Sequence, residues 1–275
     1  DHALLTALEE CRHLWATTNG LIEAEGLTQA VAAVVAESVL PLPVSGPDQS
    51  LASVGTLIRE LRRRKLPDEI GLLTRCMSAC DAGHAAAFKA AKQGATELEA
   101  YIAIQRAAQL AAGCACPVYG DFRATNAEAH KAGGLPTEYV LRDGDLFIAD
   151  FSVIIHGYRS DFTNTIAVGE PTDQQVRQFE ACRDALLAAE SVLKSGVRAS
   201  EVYEAASAVL LERGYPALAH HCGHGLGMEH PEPPILVPES DDVLLDGDVV
   251  TIEPGLYVEA VGGMRFEHNY AVTVS

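Results

Sequence analysis

The spacing of apolar residues changes rhythm along the chain, and each change marks a predicted element. Leu27 to Leu40 is rich in alanine and valine and predicts a helix, stopped by Pro41-Leu42-Pro43 and a loop over 44–48. Pro67, Asp68 and Glu69 stand where a helix front favours proline and acids, and the mostly apolar run to about Ala91 predicts one long helix. Lys92-Gln93-Gly94 ends it. Thr96 then fits an N-cap, with Glu99 in capping-box position. The phrase returns about a hundred residues later: a helix over Leu186 to Leu193, Lys194-Ser195-Gly196, and Ser200 as the second N-cap. Strand-like segments follow each copy. The pattern predicts an α+β fold with duplicated halves.

The strand signals are dense in the middle and at the end. Leu146-Phe147-Ile148-Ala149 and Phe162 to Val168 are apolar or β-branched, and between them lies Asp150 to Asp161 with His156-Gly157 at its centre. This predicts a hairpin that puts Asp150 and Asp161 on neighbouring strands. Carboxylates forced together repel, and a bound cation is the usual way to keep both ionised. Aspartate is also common in turns, so this pair alone fits a surface loop equally well. Three further stretches change the balance. His220-His221-Cys222-Gly223-His224-Gly225 sets histidines among glycines, Glu253 ends an apolar run from Asp248, and Glu267 lies inside the strand-like Arg265 to Tyr270. Carboxylates are costly to bury unless paired or metal-bound. One site can account for Asp150, Asp161, His224, Glu253 and Glu267 together.

Composition narrows the partners. The 275 residues suffice for one large domain with a smaller addition, and a net charge of −18 argues against nucleic acid and anionic membranes. No apolar run reaches membrane-spanning length and the first residues lack a signal peptide's pattern, so a cytoplasmic location is expected. Arg59 to Lys65, the strong basic cluster, is expected to be a solvated helix end. Seven scattered cysteines are not a disulfide framework; Cys76/Cys80 and Cys114/Cys116 lack a matching second pair for a zinc site, and core thiols are expected.

Taken together, Asp150, Gly157-Tyr158-Arg159-Ser160-Asp161, Gly223 to Gly227, Thr251-Ile252-Glu253-Pro254-Gly255 and Arg265-Phe266-Glu267 resemble the signature of the pita-bread metallopeptidases, among them methionine aminopeptidase, aminopeptidase P and prolidase. The resemblance covers residue 57 to the C-terminus. It implies the pita-bread fold, two pseudo-twofold α+β halves around a curved antiparallel sheet, for a catalytic domain over 58–275. Residues 1–57 are then a short lead-in, the remnant of the N-terminal domain found in the creatinase and proline-directed branch. The resemblance also implies two divalent ions, Mn, Co, Fe or Zn. Asp150 and His224 would be ligands of opposite metals, Glu253 would sit beside His224, and Asp161 and Glu267 would bridge. His230 resembles the family's substrate-facing histidine and His220 a further pocket histidine; both would be catalytic. A homodimer and a small peptide or small-molecule substrate follow from the same resemblance.

Four details depart from the family pattern. Gly133 stands where a substrate-contacting histidine is usual, with His130 three residues upstream. Ser152 replaces a glycine, and Asn164 an arginine. The segment carrying His230 is one residue shorter than usual. The expected activity is metal-dependent hydrolysis of Xaa-Pro peptides by a metal-activated water. A non-peptide substrate, as in ectoine hydrolase or the sulfoniopropionate lyase of this fold, is the alternative, and Gly133 is its main support. A non-catalytic binding module is the third class. Gly133 also implies slow turnover of standard Xaa-Pro dipeptides, because it removes one side-chain donor.

Overall fold

The computed structural model describes residues 59–274 apart from 60 and 132. The lead-in over 1–57 and the helix expected at Leu27 to Leu40 lie outside the described residues. Residues 63–275 form one compact unit, and the site belongs to it.

The unit begins with two helices. Helix α1 (Pro67–Ala90) starts on Pro67, with Asp68 and Glu69 in its first turn and Glu69 Oε2 accepting from Leu66 N (2.7 Å). Helix α2 (Glu97–Ala112) has Thr96 as N-cap and Glu99 closing the capping box, as expected, and ends on Gly113 in the left-handed region. Strands β1 (Val118–Thr125), β2 (Leu146–Ile155), β3 (Tyr158–Arg159) and β4 (Phe162–Ala167) form an antiparallel sheet, with β2 paired to the other three. The β2–β3 hairpin turns at His156 (φ 53°) and Gly157 (φ 87°), a two-residue loop with both residues left-handed.

The second half repeats the order. Helices α3 (Asp173–Val192) and α4 (Ala199–Glu212) precede β5 (His224–Gly225), β6 (Glu232–Ile235), β7 (Val249–Ile252), β8 (Gly255–Val258), β9 (Gly262–Arg265) and β10 (His268–Ala271). Strands β10, β7, β5 and β6 form a second antiparallel sheet in that order, and β8 pairs β9. Ser200 is not the cap expected of it. The helix begins two residues earlier, on Ala199, because Glu201 Oε1 accepts from Arg198 N (3.1 Å) and makes Arg198 the boundary. Glu267 lies between β9 and β10 rather than within a strand.

The duplication is visible bond by bond. Gly94 N donates to Leu141 O (2.9 Å) and Leu141 N to Ala95 O (2.8 Å); in the second half Gly196 N donates to Leu244 O (2.8 Å) and Leu244 N to Val197 O (2.9 Å). Asp145 Oδ2 accepts from Arg142 N, and Asp248 Oδ2 from Leu245 N, both at 2.8 Å. Each half encloses its own apolar core. One gathers Cys76, Ala79, Ile104, Phe122, Phe147 and Phe151; the other Ala185, Val202, Leu210, Leu236, Val250 and Ile252. Small residues, alanine, cysteine and glycine, recur on the inward helix faces and let the helices lie close to the sheets. Cys76, Cys80, Cys116, Cys182 and Cys222 are buried thiols of these cores, whereas Cys114 is exposed.

The basic cluster departs from expectation at its C-terminal end. Lys65 Nζ makes a 3.0 Å ion pair with Glu232 Oε2, both side chains at most 3% exposed, and Arg63 binds Asp248 (2.6 Å). These cations are absorbed because the second half presents buried carboxylates to them. Among the described residues no helix is long and apolar enough to cross a membrane.

Candidate metal centre

Strand pairing brings the carboxylates of the first half together. Asp150 lies opposite Thr163 across β2–β4, and the chain kinks at Ser160-Asp161 between β3 and β4. Ser160 locks the kink: its Oγ accepts from Val153 N (2.8 Å), and its N–H donates to Val153 O (3.2 Å). Asp161 N donates to Asn269 Oδ1 (3.3 Å), which ties the kink to β10. The second half supplies the rest. His224 opens β5, Glu253 follows β7, and Glu267 precedes β10, its N–H on Thr163 O (3.1 Å).

The five side chains form one linked cluster. Ligand-type atoms of Asp150, Asp161 and Glu267 lie within 4.8 Å of one another, as do those of His224, Glu253 and Glu267, and those of Asp161, His224 and His230. His224 Nε2 is 3.4 Å from Asp161 Oδ2 and 3.5 Å from Glu253 Oε1. Its Nδ1 lies 2.8 Å from Gly225 O, an arrangement in which Nδ1–H donates and Nε2 is left as a lone-pair donor facing the carboxylates. All five are buried or nearly so.

The electrostatics are unbalanced. Burial pushes the Asp150 carboxyl up, and despite opposition from Arg265 it stands at about 6, with Asp161 and Glu253 adding to the rise. Burial, then the charges of Asp161, Glu253 and Asp150, pushes Glu267 well above the usual carboxylate range. Burial also pushes Asp161 up, but His224 and His230 outweigh it and hold it low. Glu253 is held low in the same way, chiefly by His221. His224 is raised: burial lowers it, and Asp161 and Glu253 more than offset that. Oxygen Oε1 of Glu267 and Oε1 of Glu253 are buried without a hydrogen-bond partner among the described residues; His221 and His224 approach Glu253 Oε1 at ion-pair distance only. Buried, orphaned and mutually repelling oxygens beside an imidazole nitrogen are the donor set of a hard or borderline divalent cation. The residues fit the metal pair that the sequence pattern implies.

His230 and His220 take different places. His230 Nε2 sits on Asp161 Oδ2 at 2.7 Å, its side chain 39% exposed, so it borders the cluster on the open side. His220 flanks the cluster: one of its ring nitrogens lies within 4.8 Å of ligand-type atoms of His221 and Glu253, while Nδ1 lies 2.7 Å from His221 O and Nε2 3.5 Å from Tyr257 Oη, and burial lowers its pKa. Its neighbour His221 faces Glu253 Oε1 at 3.2 Å.

Arg265 is the group sequence reasoning passed over. Its Nη2 makes a short ion pair with Asp150 Oδ2 and lies 3.5 Å from Asp121 Oδ2, while Nη1 donates to Tyr257 Oη (2.7 Å). Asp121 stands directly opposite Asp150 across β1–β2, so Arg265 bridges a cross-strand pair of like charges. The only signal was proximity in sequence: Arg265 ends β9 two residues before Glu267. Gly133 lies against Asp121, and a Cβ there would meet Asp121 Oδ2 at 3.0 Å; Gly134 N donates to Asp121 Oδ1 (2.6 Å).

Comparison with known proteins agrees with this geometry. The chain is 29% identical over 221 residues to the Xaa-Pro dipeptidase of Pyrococcus furiosus, covering 80% of this chain and 63% of that protein. The Xaa-Pro dipeptidase of Lactobacillus delbrueckii subsp. lactis is 29% identical over 251 residues, covering 90% and 66%. The chain thus spans less than two thirds of the length of these relatives. Among solved structures, the prolidase from Pyrococcus horikoshii OT3 superposes with a TM-score of 0.75 at 29% identity (80% of this chain, 63% of that one). The Xaa-Pro dipeptidase from Bacillus anthracis superposes with 0.79 at 27% identity (97% and 74%). The fold is the pita-bread α+β fold, and residues 71–274 match the metallopeptidase family M24. A curved antiparallel frame of two like halves, four carboxylates and a histidine at its centre, and a family match over most of its length place this chain in metallopeptidase family M24.

Proposed function

We propose that the chain is a dinuclear metal-dependent hydrolase of Xaa-Pro dipeptides, with Asp150, Asp161, His224, Glu253 and Glu267 as ligands. The observation that carries this is the linked cluster of those five side chains, with the buried Oε1 atoms of Glu253 and Glu267 left without a hydrogen-bond partner among the described residues. The names of the relatives, Xaa-Pro dipeptidase and prolidase, support the substrate class.

When bound, two divalent ions would supply Lewis acidity and a water acidic enough to act as nucleophile near neutral pH. The chain's own residues do the rest. His230 Nε2, hydrogen-bonded to Asp161 on the open side of the cluster, can hold a proton there and give it to the departing amine. Arg265 carries a permanent charge beside Asp150 and, through Nη1, fixes the Tyr257 hydroxyl at the pocket edge, where it can stabilise developing negative charge. His220, which faces Tyr257, is assigned to the substrate pocket rather than to proton transfer. A non-peptide amide is the second reading, favoured by the missing side chain at Gly133 and the Asp121 carboxylate beside it. A homodimer, manganese as the working metal and a cytoplasmic location belong to the same proposal.

The test is a panel of Xaa-Pro dipeptides and small non-peptide amides with the chain loaded with Mn²⁺ or Co²⁺ and then treated with chelator. Chelator-sensitive cleavage of Xaa-Pro is expected. Cleavage of the non-peptide amides alone would replace the substrate assignment, and chelator-resistant cleavage would remove the metal from it.

A further inference from the structure

We infer that Ser152 and Arg159 act as a single positioning pair that aims the carboxylate of Asp161. The inference rests on the metal reading above.

Ser152 stands two residues beyond Asp150 on β2, so the two side chains share a strand face. It is 1% exposed. Its Oγ accepts from Arg159 Nε (3.1 Å) and from Arg159 Nη2 (2.7 Å). A serine hydroxyl has two acceptor positions and one proton. Both acceptor positions are taken by the guanidinium, which has no acceptor of its own. The proton is therefore left for the one acceptor in reach, Asp161 Oδ1 at 3.5 Å. The hydroxyl orientation follows from counting lone pairs, and the relay runs in one direction, from Arg159 through Ser152 to Asp161.

The two oxygens of Asp161 are thereby distinguished. Oδ1 faces the Ser152 hydroxyl, and Oδ2 faces His230 and His224. The backbone of the same residue is clamped by Asn269 from β10, so main chain and carboxylate are fixed by different elements. Arg159 in turn is held by its own backbone, Arg159 N donating to Gly227 O (3.0 Å), and by the pairing of Ile154 with Arg159. Burial lowers the Arg159 guanidinium from its ordinary pKa, while Asp161, Asp150 and Glu267 oppose that drop, which places its charge within reach of the cluster. A polarised hydroxyl is a stronger donor than an isolated one. Glycine at 152 would offer neither contact, and alanine would leave Arg159 Nε and Nη2 facing a methyl group.

The two residues act through Asp161 and touch no substrate, so the readout is metal binding. Partners that orient a ligand typically change metal affinity by about 10–100-fold. The experiment is a Co²⁺ titration of the purified full chain, followed by visible absorption, for wild type, Ser152→Ala, Arg159→Gln and the double variant. Thermal melts of the metal-free proteins run alongside. Ser152→Ala is expected to weaken Co²⁺ binding by about tenfold or more and to shift the absorption band. Arg159→Gln should weaken it less, because the hydroxyl remains. The double variant should be no weaker than Ser152→Ala, since the two form one relay. Unchanged affinity and spectrum in Ser152→Ala, with only a lower melting temperature, would overturn the pair and leave the metal site standing. Additive losses in the double variant would also overturn it. Failure of wild type to bind Co²⁺ would overturn the metal reading itself.

Discussion

Glu267→Gln separates a metal site from an ordinary buried ion network, because it removes a charge with little change of shape. Glu267 is 1% exposed, Oε2 accepts from Thr163 Oγ1 (2.8 Å), and Oε1 has no hydrogen-bond partner among the described residues. Its carboxylate lies within 4.8 Å of ligand atoms of Asp150 and Asp161. The amide oxygen of glutamine can keep the Thr163 bond, which points its NH₂ group to where the orphaned oxygen was. There it faces acceptors instead of repelling them. Relieving one unsatisfied buried polar atom is worth about 1–3 kcal/mol. At about 2–4 °C per kcal/mol for a unit of this size, Tm of the metal-free variant should rise by roughly 2–12 °C. Metal reverses the order. Free ion at 100 times Kd stabilises wild type by about 2.7 kcal/mol per site. The variant should lose most of that gain, because in the proposed site Glu267 would serve both ions. The assay is a pair of thermal melts, one after chelation and one across a Mn²⁺ series. A variant less stable than wild type without metal, yet stabilised by Mn²⁺ to the same degree, would refute the reasoning.

Three further perturbations test separate parts of the structure. His84 is buried, with Nε2 on Phe162 O at 3.1 Å, no hydrogen-bond partner on Nδ1 among the described residues, and a pKa lowered by burial from 6.5 to about 4. The unfolded chain therefore binds the proton first, and stability of the chelated protein should fall by up to about 3 kcal/mol between pH 6.5 and 4 relative to His84→Asn, as read by denaturant titration; equal pH slopes would contradict this. Gly133→His combined with Asp121→Ala, which clears the oxygen 3.0 Å from the added Cβ, should raise kcat/KM for Xaa-Pro dipeptides toward the roughly 10²–10³-fold that one transition-state donor supplies; no gain would show that Gly133 does not limit peptide turnover. Glu232 Oε1 accepts from Met228 N (2.7 Å) and Glu229 N (2.9 Å) just ahead of His230, while Oε2 pairs with Lys65. Glu232→Gln should cost about 3–5 kcal/mol in denaturant melts, and Lys65→Met in the same background should recover part of it; two fully additive losses would deny that the pair is coupled.

The hairpin and the first N-cap were legible in the sequence because each is a local signal, whereas the grouping of Asp150, Asp161, His224, Glu253 and Glu267 rested on several motifs taken together and their resemblance to one family. His156-Gly157 between β-branched runs specifies a two-residue turn, and Thr96 with Glu99 specifies a helix start. Ser200 misled because a capping residue type was present but Glu201 reached back to Arg198, so the boundary was set by the partner rather than by the serine. The duplication was read from Lys-x-Gly and a cap, although a firmer repeat was there: Asp143-Gly144-Asp145 and Asp246-Gly247-Asp248, whose glycines share a left-handed φ of 87° and 90°. What the sequence withheld was long-range pairing. Lys65 with Glu232, Arg63 with Asp248, and Arg265 with Asp121 and Asp150 join residues far apart in the chain, and nothing local announces them.

The central claim is that these five side chains hold two metal ions. Elemental analysis of the chain after equilibration with Mn²⁺ and removal of free ion tests it most directly, with Asp161→Ala and Glu267→Ala measured beside wild type. The account predicts two ions per wild-type chain and a loss at both positions in each variant, since either residue would serve both ions. Wild type without bound metal, or both variants at full occupancy, would contradict it.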